Sequence, residues 1–215
     1  MEIRIGIGDL ILIYALPLVG IAIIGFLKLL IIFILVKSPL HFDFKYDLLY
    51  IFDSQKNLKR FRNQRLAFLK FYIKTMLGDS GTQALFLYRV ARFFLLHHAG
   101  FLADVIHRMS KFLTQIDISP YAIIGRGLMI YHGSGVVIGK NSRLGERCIV
   151  CQGVTTGSGA PQIGNDVKLW SGAKIFGNIS IGDHSEVASN AVLLKSIPSH
   201  VIAMGVPANR IISKQ

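Results

Sequence analysis

Ile118-Ser119-Pro120-Tyr121-Ala122-Ile123-Ile124-Gly125-Arg126-Gly127-Leu128-Met129-Ile130 returns an aliphatic side chain at every sixth position, at Ile118, Ile124 and Ile130. Val136 continues the series, Ser142 and Cys148 fill the next two places, and Val154 resumes it. The beat restarts at Ile163 and runs through Leu169, Ile175, Ile181, Val187 and Leu193. Val154 and Ile163 are nine residues apart, so a loop interrupts the repeat between them. A period of six matches neither the 3.6 of a helix nor the alternation of a simple strand. It suits a triangular coil in which each side is one short strand with one inward aliphatic residue. Glycine often follows that residue, as in Ile124-Gly125, Ile163-Gly164 and Ile181-Gly182, where corner backbone angles cost Gly or Asn little. Stacked coils build one continuous core. The predicted fold class is mainly β, a parallel β-helix of about four to five coils.

Upstream the composition changes. Residues 10–36 carry one charge, Lys28, and Leu10 to Leu27 are 18 consecutive uncharged residues. About 20 apolar residues span a bilayer as a helix, so a membrane segment is expected. The run is too long for a signal peptide and no small-residue cleavage site follows it. A buried soluble helix rarely runs so far without a polar face. Lys37 and the basic block beyond it put residues 37 onward on the cytoplasmic side of a bacterial-type inner membrane. Pro17, Gly20, Gly25 and Lys28 leave a re-entrant hairpin open beside a single span. The expected organisation is an anchor over 1–40, a basic helical region over 41–115 and the β-helix over 116–215.

The formal net charge is +12. From Gln55 to Lys74 there are seven Lys or Arg and no acid, a pattern that suits an anionic lipid surface at roughly 1 kcal/mol per charge. No groove-reading or RNA-stacking motif accompanies the basic excess, so nucleic acid is not the expected partner. Cys148 and Cys151 form a lone C-x-x-C. Zinc needs more ligands, and a thioredoxin-like motif needs a βαβ setting, so the pair reads as packing residues.

Several segments together resemble the hexapeptide-repeat acyltransferases, and within them the serine O-acetyltransferases. They are Tyr88-Arg89-Val90-Ala91, Thr114 to Pro120, Ile124 to Gly133, Gln152-Gly153-Val154-Thr155, Ser171 to Ile175 and Gly205-Val206-Pro207-Ala208. The resemblance implies a left-handed coil, an exception to the usual right-handed crossover. It also implies acetyl-CoA as co-substrate, no metal, and a homotrimer with coenzyme grooves between subunits. His132 matches the family's general base, and a histidine with a pKa near ~6.5 suits removal of a hydroxyl proton. Asp117 matches the aspartate that orients it. Tyr131 and Gln152 are the candidate acceptor-side residues. Gly157, Ser171 and Ser189 match, or lie beside, small residues along the pantetheine arm, and Gly205 to Arg210 matches the coenzyme-lining C-terminal segment. Other hexapeptide proteins hold zinc with three histidines, but His132, His184 and His200 lack that spacing.

The acceptor side departs from the serine enzymes. Tyr131 stands where the family has an aspartate before the histidine, and Gly139-Lys140 replaces its Gly-Glu. The loop with an Arg-His pair shrinks to Thr156-Gly157-Ser158-Gly159-Ala160-Pro161-Gln162. An amino-acid acceptor needs partners for an ammonium and a carboxylate. The expected reaction is therefore O-acetylation of a sugar hydroxyl, on a lipid-linked glycan of surface polysaccharide synthesis. Serine acetylation in cysteine synthesis and a non-catalytic trimeric scaffold are the alternatives.

Overall fold

The computed structural model describes residues 46–48, 50–51, 74–75 and 77–214. The expected membrane span at 10–36 and most of the basic stretch lie outside them. Among the described residues no helix is long and apolar enough to cross a membrane.

Among the described residues, the helices α1 (Ser80–Leu96) and α2 (Gly100–Thr114) lead into fifteen short strands. Three sheets form the walls. The first stacks β1 (Asp117–Ile118), β4 (Val137–Ile138), β7 (Thr155–Gly157), β10 (Lys174–Phe176) and β13 (Val192–Leu193). The second stacks β2 (Ile123–Ile124), β5 (Arg143–Leu144), β8 (Gln162–Ile163) and β11 (Ser180–Ile181). The third stacks β3 (Met129–Tyr131), β6 (Ile149–Cys151), β9 (Lys168–Leu169), β12 (Glu186–Val187), β14 (Val201–Met204) and β15 (Arg210–Ser213). Every pairing is parallel except β14 with β15. A chain that visits three walls in turn and returns to the first is a triangular β-solenoid, with five levels on its first wall.

Register corrects the expected repeat. Ile118 pairs with Ile138, Ile124 with Leu144, Ile130 with Val150 and Ile138 with Thr156. The strand-centre row therefore runs Ile138, Leu144, Val150, Thr156, and not Val136, Ser142, Cys148, Val154. Those four are also buried, at 1% exposure or less, but they belong to a second row two residues earlier, shared with Ile116, Ala122 and Leu128. The shift has a local cause. Asp117 and Val137 are paired 20 residues apart, whereas Val137 and Thr155 are paired 18 apart. The corner between Tyr131 and Val137 holds two extra residues. One more enters between β7 and β8, where Arg143 pairs with Gln162.

Coils approach each other most closely behind the inward residues. A Cβ at Gly125 would stand 2.6 Å from the backbone of Gly145, so that position excludes any side chain. Cys148 and Cys151 are free and buried, and burial pushes the Cys148 thiol up to about 11.

The first level would leave carbonyls bare, and α1 covers them. Asp79 caps the helix by accepting from the Thr82 amide at 2.9 Å. Tyr88 Oη donates to the Ala122 carbonyl at 2.8 Å. The Arg89 guanidinium donates to the carbonyls of Ile124 (2.7 Å) and Gly125 (2.6 Å) and to the buried Asp47 carboxylate at 2.9 Å. Arg92 reaches Pro120 and Ala122. An exposed strand edge is a template for unwanted pairing, and these donors close it.

Candidate active site

The longer corner carries His132. β3 ends at Tyr131, and the chain turns through His132 (φ 59°), Gly133 (φ 27°) and Gly135 (φ 71°). Gly133 is required by contact as well as by its angle, because a Cβ there would run into Ile116. His132 is exposed beside it. The next level crosses this corner by the shorter path. Tyr131 pairs with Cys151, and the Gly153 amide donates to the Ser134 carbonyl at 2.9 Å. Gln152 is thus the one residue opposite the three-residue stretch His132–Gly133–Ser134.

The same edge continues upward. Gly172 N donates to the Gln152 carbonyl and Asn190 N to the Ser171 carbonyl, each at 2.8 Å. His132, Gln152 and Ser171 therefore follow one another along one edge, and Ser189 precedes Asn190 on it. Gly157, at the far end of β7, lies across the first wall from this edge. An open cavity of about 430 Å³ adjoins it, lined by Ser158, Phe176, Gly177 and Leu194. Gly205 (φ 107°) accepts from the Val192 amide beside β13, and Arg210 is exposed on β15.

The expected Asp117–His132 pair is not made in the single chain. Asp117 lies near the corner, its amide donating to the Val136 carbonyl at 2.9 Å. Its carboxylate turns to α2 instead, accepting from His107 Nε2 at 2.8 Å and Lys111 Nζ at 2.6 Å. The physical reason is the short connection. Gln115, in the left-handed region at φ 57°, turns the end of α2 directly into β1. His107 and Lys111, one helical turn apart, then lie over the strand. Burial pushes the Asp117 carboxyl up, but these two donors outweigh it and hold the group below its ordinary value.

Sequence reasoning left His107 without a role; its i, i+4 spacing to Lys111 just before β1 was the available signal. It also missed Lys174, whose ammonium donates to the Gly153 carbonyl (2.6 Å) and Thr155 Oγ1 (2.9 Å) beside the His132 edge. Tyr131 is 42% exposed, its hydroxyl 3.8 Å from Met129 Sδ. His184 and His200 stack with ring centroids 4.8 Å apart at another corner. Among the described residues no group of three or more His, Cys, Asp or Glu is placed to hold a metal ion.

No protein-family model matches the chain. Curated relatives do. Over 148 residues the chain is 36% identical to a serine acetyltransferase of Bacillus pumilus, an alignment covering 66% of this chain and 68% of the relative. The chain belongs to the serine acetyltransferase family. It is an acetyl-CoA-dependent O-acetyltransferase built on the hexapeptide-repeat β-solenoid. A serine acetyltransferase solved in complex with CoA superposes with a TM-score of 0.67 at 28% identity, covering 79% of this chain and 68% of that one. The Neisseria gonorrhoeae serine acetyltransferase in complex with serine gives 0.66 at 27% identity, covering 78% and 67%. His132 is exposed on the corner edge that continues upward through Gln152 and Ser171.

Proposed function

We propose that this chain acetylates the hydroxyl of serine, with acetyl-CoA as donor and His132 as general base. The 36% identity to the Bacillus pumilus enzyme is the observation that carries the reading; the structural likeness to an enzyme solved with serine supports it. As the serine oxygen attacks the thioester carbonyl, His132 takes its proton, and the imidazolium returns that proton to the departing thiolate. The small-residue edge above His132 is where the pantetheine arm is proposed to lie. A second subunit is proposed to complete the groove, in a homotrimer.

A neutral sugar hydroxyl is the second reading. It is favoured by the phenol of Tyr131 at the position before His132 and by the four-residue connection Ser158–Pro161 between β7 and β8. Neither supplies a charge for an ammonium or a carboxylate. The comparisons lend the surface-polysaccharide reading no support. Purified protein given labelled acetyl-CoA and either serine, nucleotide sugars or lipid-linked glycans discriminates the two. Label in O-acetylserine is expected; label only in a glycan overturns the serine assignment.

The membrane anchor is a separate proposal, supported by the apolar length of residues 10–36 and the acid-free basic stretch after them. Protein sedimenting with membranes through a high-salt wash is the expected result, and release by salt alone rejects an inserted segment.

A further inference from the structure

We propose that the outward face of α2 is a lipid-docking surface that lays the helix flat on an anionic membrane. It is independent of His132 and of the acceptor, and experiment can separate it from insertion of residues 10–36. An ordinary surface helix turns its apolar stripe inward. α2 does the reverse. It packs on α1 and β1, and the residues it buries are the small or hydroxylated Ala103, Ser110 and Thr114. Outward it presents Phe101, Leu102, Val105, Met109 and Phe112, all exposed, with the two phenylalanines at 80% and 85%. Positions 101, 105, 109 and 112 recur at i, i+4, i+8 and i+11, so these side chains form one stripe. At 1.5 Å per residue the stripe is roughly 16 Å long. Large side chains exposed together in this way mark a place of contact.

The chain's own chemistry names the occupant. The stripe is uncharged and carries no hydrogen-bonding side chain, as contact with acyl chains requires. Its polar border is close to balanced: Asp104 stands four residues before Arg108, and Lys111 is taken by Asp117. The charge comes instead from the chain leading into α1. From Gln55 to Lys74 there are seven Lys or Arg and no acid, and Lys74 stands six residues ahead of Ser80. An apolar helix face beside an uncompensated basic tract matches anionic headgroups over an apolar interior. A second copy of this chain would offer the same stripe but would set one basic excess against another. His107 and Lys111 of α2 also bond the Asp117 carboxylate of β1. Docking therefore sets β1 one helix diameter, ~10–12 Å, from the lipid.

The experiment uses the full-length chain with vesicles of equal parts phosphatidylcholine and phosphatidylglycerol, their acyl chains brominated to quench tryptophan. Trp170 is the only tryptophan in the chain, so Trp170→Phe with Phe112→Trp moves the emission to α2. Tryptophan sits readily at a lipid interface, and Phe112 is too exposed for the change to disturb packing. The reporter is expected to shift to the blue and lose roughly half of its emission, since an interfacial helix sinks its apolar face about 5–10 Å into the headgroup–acyl boundary. Adding Phe101→Asp and Met109→Asp is expected to abolish both changes and leave the melting midpoint in place. A reporter that stays unquenched in vesicle-bound protein overturns this inference alone, and the membrane anchor stands. Quenching that survives the two aspartates also overturns it, because the reporter then reaches lipid without the stripe. A blue shift without quenching that grows with protein concentration assigns the face to a second copy instead. Protein that binds no vesicles rejects the docking surface and the anchor together.

Discussion

Replacing His132 with alanine is expected to lower kcat by about 10²–10⁴-fold, the usual contribution of a positioned general base. The loss is expected in turnover and not in acetyl-CoA affinity, because the proposed coenzyme edge is made by backbone and small side chains above His132. Folding is expected to be unharmed. The side chain is exposed, both buried rows are untouched, and alanine inherits the same left-handed backbone angle of 59° that histidine already tolerates. The measurement is steady-state kinetics with a thermal melt as control. A variant that melts as wild type does and turns over normally removes His132 from the mechanism.

The largest stability effect is expected where α1 covers the first level of the solenoid. Arg89 and Asp47 are 5% and 0% exposed and make a buried ion pair at 2.9 Å. Asp47 also accepts from the Gly127 amide at 2.6 Å, so one carboxylate ties the helical region to the second coil corner. Arg89→Met leaves that carboxylate buried without its counter-charge and two edge carbonyls without donors. Breaking a buried pair from one side costs about 3–5 kcal/mol. At 2–4 °C per kcal/mol for a chain of this size, the melting midpoint falls by roughly 6–20 °C. Arg89→Met combined with Asp47→Asn is expected to recover part of the loss, since no charge is then stranded. A drop below about 1 kcal/mol in the single variant would mean that water or neighbouring donors replace the guanidinium.

The repeat was legible because a period of six has no competing explanation, but its phase was not. Val136, Val137 and Ile138 are all aliphatic, so a slip of two residues at the preceding corner leaves no trace in a count of apolar positions. Ser142 and Cys148 were the visible symptom: they looked like weak members of the strand-centre row and are regular members of the second buried row. The motif singled out His132, which the structure places exposed on the longer corner. The hydrogen-bond partners of Asp117 were not legible, because two side chains of α2 decide the direction of its carboxylate. Sequence spacing along the solenoid carries no information about a helix that crosses it. The acceptor is the least legible part, for it depends on groups such as Tyr131 whose role rests on what is bound.

The two-residue excess at the His132 corner behaves as a dislocation in an otherwise regular lattice. On either side of it the strands keep their order, their parallel sense and their inward row; only the position along the chain is displaced, and every later rung carries that displacement. A defect of this kind costs little, since stacking continues above and below it. It also creates a place where backbone must leave the lattice and a side chain can stand clear of its neighbours. The backbone of His132 is therefore placed by the surrounding regularity, not by a loop with its own fold.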